Sequence, residues 1–275
     1  MNTSTIRNGS PITFFILVFA LSVPFSLAGT MTGLELLPGL PISSLVVNFC
    51  PLAAALILVY RENRTAGITG LLQRSFDFKR IKVKTWYVPI FLLMPAVMIL
   101  SYGVARSMGI PVPAPQFPIL APLVMFPVFY IAALGEELGW MGYSIDLLQN
   151  RFNALQAGIL LGLPWAAWHI IPVVQVGRSP VWIAGQILVW LSSRVIIVWL
   201  YNNTGKSVFA AATFHAMMNV TWQLFPVNGS FYDPRILGPI VALAAVIVTF
   251  LWGSKTLAQY RYARPNADVH LNPTN

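Results

Sequence analysis

Apolar residues are grouped along this chain in long blocks, and they do not alternate with polar ones. The blocks cover 11–30, 42–60, 86–107, 118–143, 154–172, 180–201, 207–225 and 236–254, and shorter polar stretches separate them. Blocks of this length are too long for most strands, whereas a helix needs about 20 residues to cross the hydrocarbon core. In lipid, each backbone N–H and C=O must find its partner within the structure, and a helix does this within one segment. The pattern therefore predicts an all-α membrane protein with about eight transmembrane helices. A single polytopic domain is expected over 1–264, followed by a polar tail at 265–275 that is expected to be disordered. Arg7 before the first block would also suit a removable secretory signal, but the blocks that follow are hydrophobic too and favour a retained helix.

Composition agrees. The 275 residues are 57% hydrophobic and 9% charged, against roughly 25% charged residues in soluble domains. The formal charge of +9 does not point to nucleic acid, because the basic residues flank apolar spans. Such flanking charge anchors a chain beside anionic lipid head groups. The segment 61–84 holds Arg61, Arg64, Arg74, Lys79, Arg80, Lys82 and Lys84. An even number of spans puts this segment on one side with Arg7, Arg151, Lys206, Lys255, Arg261 and Arg264. The opposite side receives Arg106, Arg178 and Arg235. The positive-inside rule then predicts that both termini are cytoplasmic, in the plasma membrane if the source is prokaryotic. Leu71, Leu72, Phe76, Phe78 and Ile81 interleave with the basic residues of 61–84, which suits a partly helical interfacial element. The lone cysteine, Cys50, excludes an intrachain disulfide and a cysteine zinc site.

Ionisable side chains within a bilayer are costly and are functional suspects. Here they are Glu136 and Glu137 at the end of the fourth block, His169 in the fifth, Arg194 in the sixth, and His215 in the seventh with Asn219 one turn later. Each has a plain explanation taken alone. Adjacent glutamates often mark a solvated helix end, and a histidine or an i, i+4 pair can hydrogen-bond a neighbouring helix. Together, however, two Glu, two of the chain's three His and an Asn supply the parts of a hydrolytic site around a polar intramembrane cavity.

These motifs resemble the CPBP intramembrane proteases, the type II CAAX prenyl endopeptidases and their Abi-like bacterial relatives. The family pattern is Glu-Glu-x-x-x-Arg, Phe-x-x-x-His and His-x-x-x-Asn on separate helices. Glu136 and Glu137 match the first, His169 matches the second with Trp165 in place of Phe, and His215 with Asn219 matches the third. The motif-bearing core spans 118–225. The Trp-for-Phe exchange reads as minor. Met141, however, stands where the pattern has Arg. Either Glu137 is protonated, or Arg194 or Lys206 supplies the missing cation, or the chain is a non-catalytic relative.

The resemblance implies an intramembrane endopeptidase acting on CAAX-type or peptide-maturation substrates. Glu136 would activate a water that His169 helps to position. His215 and Asn219 would stabilise the oxyanion, and Glu137 would orient the others. Two adjacent carboxylates in a low-dielectric pocket do not both ionise easily, which suits one of them to act as a base. A zinc enzyme using Glu136, His169 and His215 as ligands is the alternative, as is a non-proteolytic scaffold or carrier with the same cavity. The expected partners are membrane lipid and a peptide or protein substrate, which a prenyl group could modify. No residues identify a prenyl pocket, and no cofactor is favoured over zinc-free hydrolysis.

Overall fold

A computed structural model describes residues 9–37, 40–229 and 231–261. The predicted tail at 265–275 lies outside them. The chain begins with α1 (Pro11–Thr32), a short antiparallel hairpin of β1 (Glu35–Leu37) and β2 (Leu40–Pro41), and the single turn α2 (Ser44–Val47). It continues through α3 (Cys50–Leu72), α4 (Tyr87–Ser107) and α5 (Ala121–Gly139). A π-helical segment, Trp140–Ser144, joins α5 to α6 (Ile145–Gln149). Four helices complete the bundle: α7 (Ala154–Gln175), α8 (Pro180–Asn203), α9 (Val208–Leu224) and α10 (Pro234–Trp252).

Every predicted block contains a helix, and the block 42–60 is divided into α2 and the start of α3. Among the described residues, seven helical stretches are long and apolar enough to cross a membrane. The remaining block is α9, which has 17 residues. It is the inner helix, with Ala210, Ala211, Ala212, Phe214 and Ala216 fully buried. A helix shielded by its neighbours can carry polar side chains that lipid would reject.

The segment 61–84 differs from the sequence expectation. The third helix runs on to Leu72, with a break at Arg64, where φ is 54°. Phe76, Leu72 and Phe78 are exposed, as an interfacial element requires, but Leu71 and Ile81 are buried in the core. The segment therefore wraps the end of the bundle as well as facing the interface.

Tight crossings position the site. A Cβ on Gly135 would lie 2.7 Å from the Asn48 carbonyl oxygen, and one on Gly139 would lie 2.5 Å from that of Pro51. Gly-Glu-Glu-Leu-Gly is thus a close-approach motif in which two glycines one turn apart let α5 cross the start of α3. The glutamates between them are fixed at that crossing. Gly185 and Gly238 do the same for α8 and α10, where a Cβ would come within 2.8 Å and 2.9 Å of backbone atoms of the facing helix.

Candidate active site

Glu136 and Glu137 are adjacent and buried, yet they point into different surroundings. Glu136 lines a cavity of about 530 Å³ together with Trp165, His169, His215 and Asn219. Glu137 is not among the cavity-lining residues and is fully buried behind it. Of the five residues the sequence predicts, four therefore share one cavity, and the fifth supports it from outside.

Capped helices bring these side chains together. Asn153 and Gln156 form a capping box that starts α7, and the Ser207 side chain caps α9 by accepting from the Ala210 N–H. On α7, Trp165 and His169 are four residues apart and share a face. The Trp165 indole Nε1–H donates to Glu136 Oε2 at 2.8 Å, and His169 Nε2 lies 3.9 Å from the same oxygen. His169 Nδ1–H donates to the Trp165 carbonyl at 2.9 Å, so the neutral imidazole presents Nε2 as an acceptor. Trp165, Trp168 and Trp190 hold the His169 ring, with centroids 4.8, 4.6 and 5.0 Å away.

Behind the cavity, Glu137 bridges two partners. Arg194 Nη1 donates to its Oε2 at 2.7 Å, and His215 Nδ1–H donates to its Oε1 at 2.8 Å. Neither the Arg194 nor the Glu137 side chain has any exposure. A cation therefore stands beside Glu137 although Met141 occupies the motif's arginine position. The cation beside Glu137 comes from α8, as Arg194, and Lys206 pairs instead with Asp146 at 2.9 Å. Met141 is a fully buried core residue of the π-helical segment.

The two faces of the bundle are distinct. At the basic face, Arg74 donates to the carbonyls of Gly142 (2.7 Å) and Lys206 (2.8 Å) and to the Tyr201 hydroxyl (2.8 Å). Asp77 there accepts from the Ser207 hydroxyl and the Phe209 N–H, and so joins the wrapping segment to the start of α9. The cavity is also lined by Gln175, Arg178 and Trp182, which lie where α7 ends and α8 begins, at the opposite end of α8 from Tyr201. Among the described residues, no three His, Cys, Asp or Glu side chains are grouped to hold a metal ion. In the zinc alternative, Glu136 Oε2 accepts the Trp165 N–H and lies 3.9 Å from His169 Nε2, and His215 Nδ1 bonds Glu137, which leaves His215 Nε2 as the ring nitrogen on the other side.

A family model described as type II CAAX prenyl endopeptidase Rce1-like matches residues 118–221. The chain is also 30% identical over 250 residues to CAAX prenyl protease 2 of Methanococcus maripaludis, covering 82% of this chain and 85% of that one. The chain belongs to the type II CAAX prenyl endopeptidase family. A second relative is lysostaphin resistance protein A of Staphylococcus haemolyticus, 21% identical over 244 residues, with 82% of this chain and 64% of that one covered. As a type II CAAX prenyl endopeptidase relative, the protein is a multi-pass integral membrane protease.

Two features escaped the sequence reading. Trp165 is not a minor exchange for the family's phenylalanine, because its N–H reaches Glu136 and a phenyl ring has nothing to donate. The signal was available, since a buried indole N–H usually requires a partner. Arg74 could not be told from the other basic residues of 61–84, because only the tertiary structure shows that it turns inward.

Proposed function

We propose that this protein hydrolyses peptide bonds of membrane-delivered substrates with a metal-free water activated by Glu136. One observation carries this reading: of two adjacent carboxylates, Glu136 faces the cavity beside a histidine, and Glu137 is occupied by Arg194 and His215. The Glu136 carboxylate takes a proton from water as the water oxygen attacks the peptide carbonyl carbon. His169 Nε2 holds that water. The oxyanion then receives hydrogen bonds from the Asn219 amide and from Nε2–H of His215 in its imidazolium form, each worth about 3–4 kcal/mol in soluble proteases. The C–N bond breaks, Glu136 returns its proton to the leaving nitrogen, and a carboxylate and an amine are released. Glu137 acts through His215, holding its ring by Nδ1.

Met94, Met98, Met125, Val189 and Trp190 give the cavity a soft apolar wall, which suits a prenyl chain or an apolar peptide segment. The name of the methanogen relative favours a prenylated tail. The positive-inside orientation favours the other source. It makes the basic face cytoplasmic, lays 61–84 against anionic lipid, and turns the cavity rim outward, toward peptides matured outside the cell.

The test is cleavage of peptides with and without a farnesyl group by purified wild type and Glu136→Ala. Cleavage by wild type that survives chelation and disappears in Glu136→Ala is the expected result. Recovery of activity only when zinc is returned to stripped protein would replace the mechanism. Reporter fusions at the C-terminus and in 108–117 should give opposite locations, with the C-terminus inside. The reverse would place the rim in the cytoplasm and favour the prenylated tail.

A further inference from the structure

Trp165 touches four members of the site: Glu136, Arg194, His169 and His215. Its N–H donates to Glu136. The Arg194 guanidinium carbon lies 4.0 Å from the centroid of its ring. The rings of His169 and His215 stand edge-on to it at 4.8 and 5.5 Å. The side chain is buried, with 1% exposure. Arg194 itself spends one nitrogen on Glu137, and its Nε and Nη2 have no hydrogen-bond partner among the described residues. A desolvated guanidinium with only one hydrogen-bonded nitrogen needs another source of stabilisation, and the face of an indole is the best aromatic one.

We propose that Trp165 is a positioning residue of the hydrolytic site and that, with Arg194, it replaces the arginine missing at Met141. The two departures from the family pattern then form a single exchange. The cation has moved from the π-helical segment to α8, and it reaches Glu137 by lying across a ring at position 165. Because that ring is an indole and not a phenyl, it also holds Glu136 by Oε2. This leaves Oε1 of Glu136 to receive the proton of the attacking water. One side chain thus sets the orientation of the base and anchors the cation that fixes its neighbour. The inference rests on Glu136 being the base.

The test has one arm that needs no activity. In detergent-solubilised protein labelled at the indole nitrogens, the Trp165 signal is the one lost in Trp165→Phe. It should move markedly in Glu136→Gln, and an unmoved signal would overturn the proposal even if the protein cleaves nothing. The second arm is kinetic. Losing a hydrogen bond to a charged group corresponds to about 10- to 100-fold, so Trp165→Phe should lower kcat by that factor with little change in KM. An unchanged kcat would overturn the positioning role. The third arm is rescue. Arg194→Met should lose folded yield and activity, and adding Met141→Arg should recover at least about tenfold of the activity. A double variant no better than Arg194→Met would overturn the exchange. Absence of cleavage by wild type would instead count against the protease mechanism and leave the indole signal to decide the contact.

Discussion

The basic face and the cavity face of the bundle handle buried polarity in different ways. At the basic face, Arg74, Asp77, Asp146, Tyr201 and Lys206 bond to one another and to backbone carbonyls, which ties a wrapping segment to three helices. At the cavity face, Glu136, His169 and Asn219 line open volume. The boundary between these regimes falls between Glu136 and Glu137. One carboxylate faces the cavity, and the next one is held by Arg194 and His215. The difference teaches that the fold, and not the residue type, decides which polar group faces open volume.

The sharpest way to break this comparison is to neutralise each glutamate in turn. Glu136→Gln should remove activity by about 10²–10⁴-fold, the usual contribution of a general base, and leave thermal unfolding nearly unchanged. Glu137→Gln should do the reverse in kind. It strands Arg194 without an ionic partner, and breaking a buried pair costs about 3–5 kcal/mol, read as a large drop in melting temperature. If both variants behave alike, the two carboxylates do not divide the labour.

A smaller effect is expected at the basic face. Arg74→Met leaves the Gly142 carbonyl and the Tyr201 hydroxyl short of a donor, at a cost of about 1–3 kcal/mol. Its melting temperature should fall while kcat, measured where the protein is still folded, stays near wild type. A fall in kcat at unchanged stability would mean that the wrapping segment takes part in the reaction.

The smallest effect lies beside the cavity rim, outside the spans. Asp233 accepts from the Arg235 backbone N–H and guanidinium, and Arg235 holds its carboxyl below the usual carboxylate range. Asp233→Ala removes the N-cap of α10 and should cost about 1 kcal/mol at neutral pH. The sign with pH follows from the lowered value. The ionised cap contributes above the ordinary carboxylate pKa, and its contribution fades as pH falls through the folded value. The stability gap between wild type and Asp233→Ala should therefore close in acid. A gap independent of pH would assign the effect to packing.

Most of the fold was legible because a bilayer imposes a simple code, in which length and apolarity define a span. The code is weakest where protein, and not lipid, surrounds a helix. That explains why α9 is the short, polar-bearing block, and why 61–84 mixes exposed and buried apolar residues. The site was legible as a set of residue types on successive helices. Its division of labour was not. Nothing in the pair Glu136-Glu137 says which carboxylate faces a cavity, because neighbours on a helix are about 100° apart and the direction of the cavity is a property of the whole bundle.

The sequence by itself determined an all-helical membrane protein and the candidate residues Glu136, Glu137, His169, His215 and Asn219, and its resemblance to the family marked Met141 as the place where an arginine is missing. The first two follow from composition and spacing, which are local and one-dimensional. Only the tertiary structure decided that Arg194 and not Lys206 stands beside Glu137, that Trp165 is bonded to Glu136, and that Glu136 and not Glu137 lines the cavity. Each of these depends on where one helix crosses another. In the case of Glu136 and Glu137, two glycines with no side chains set that crossing.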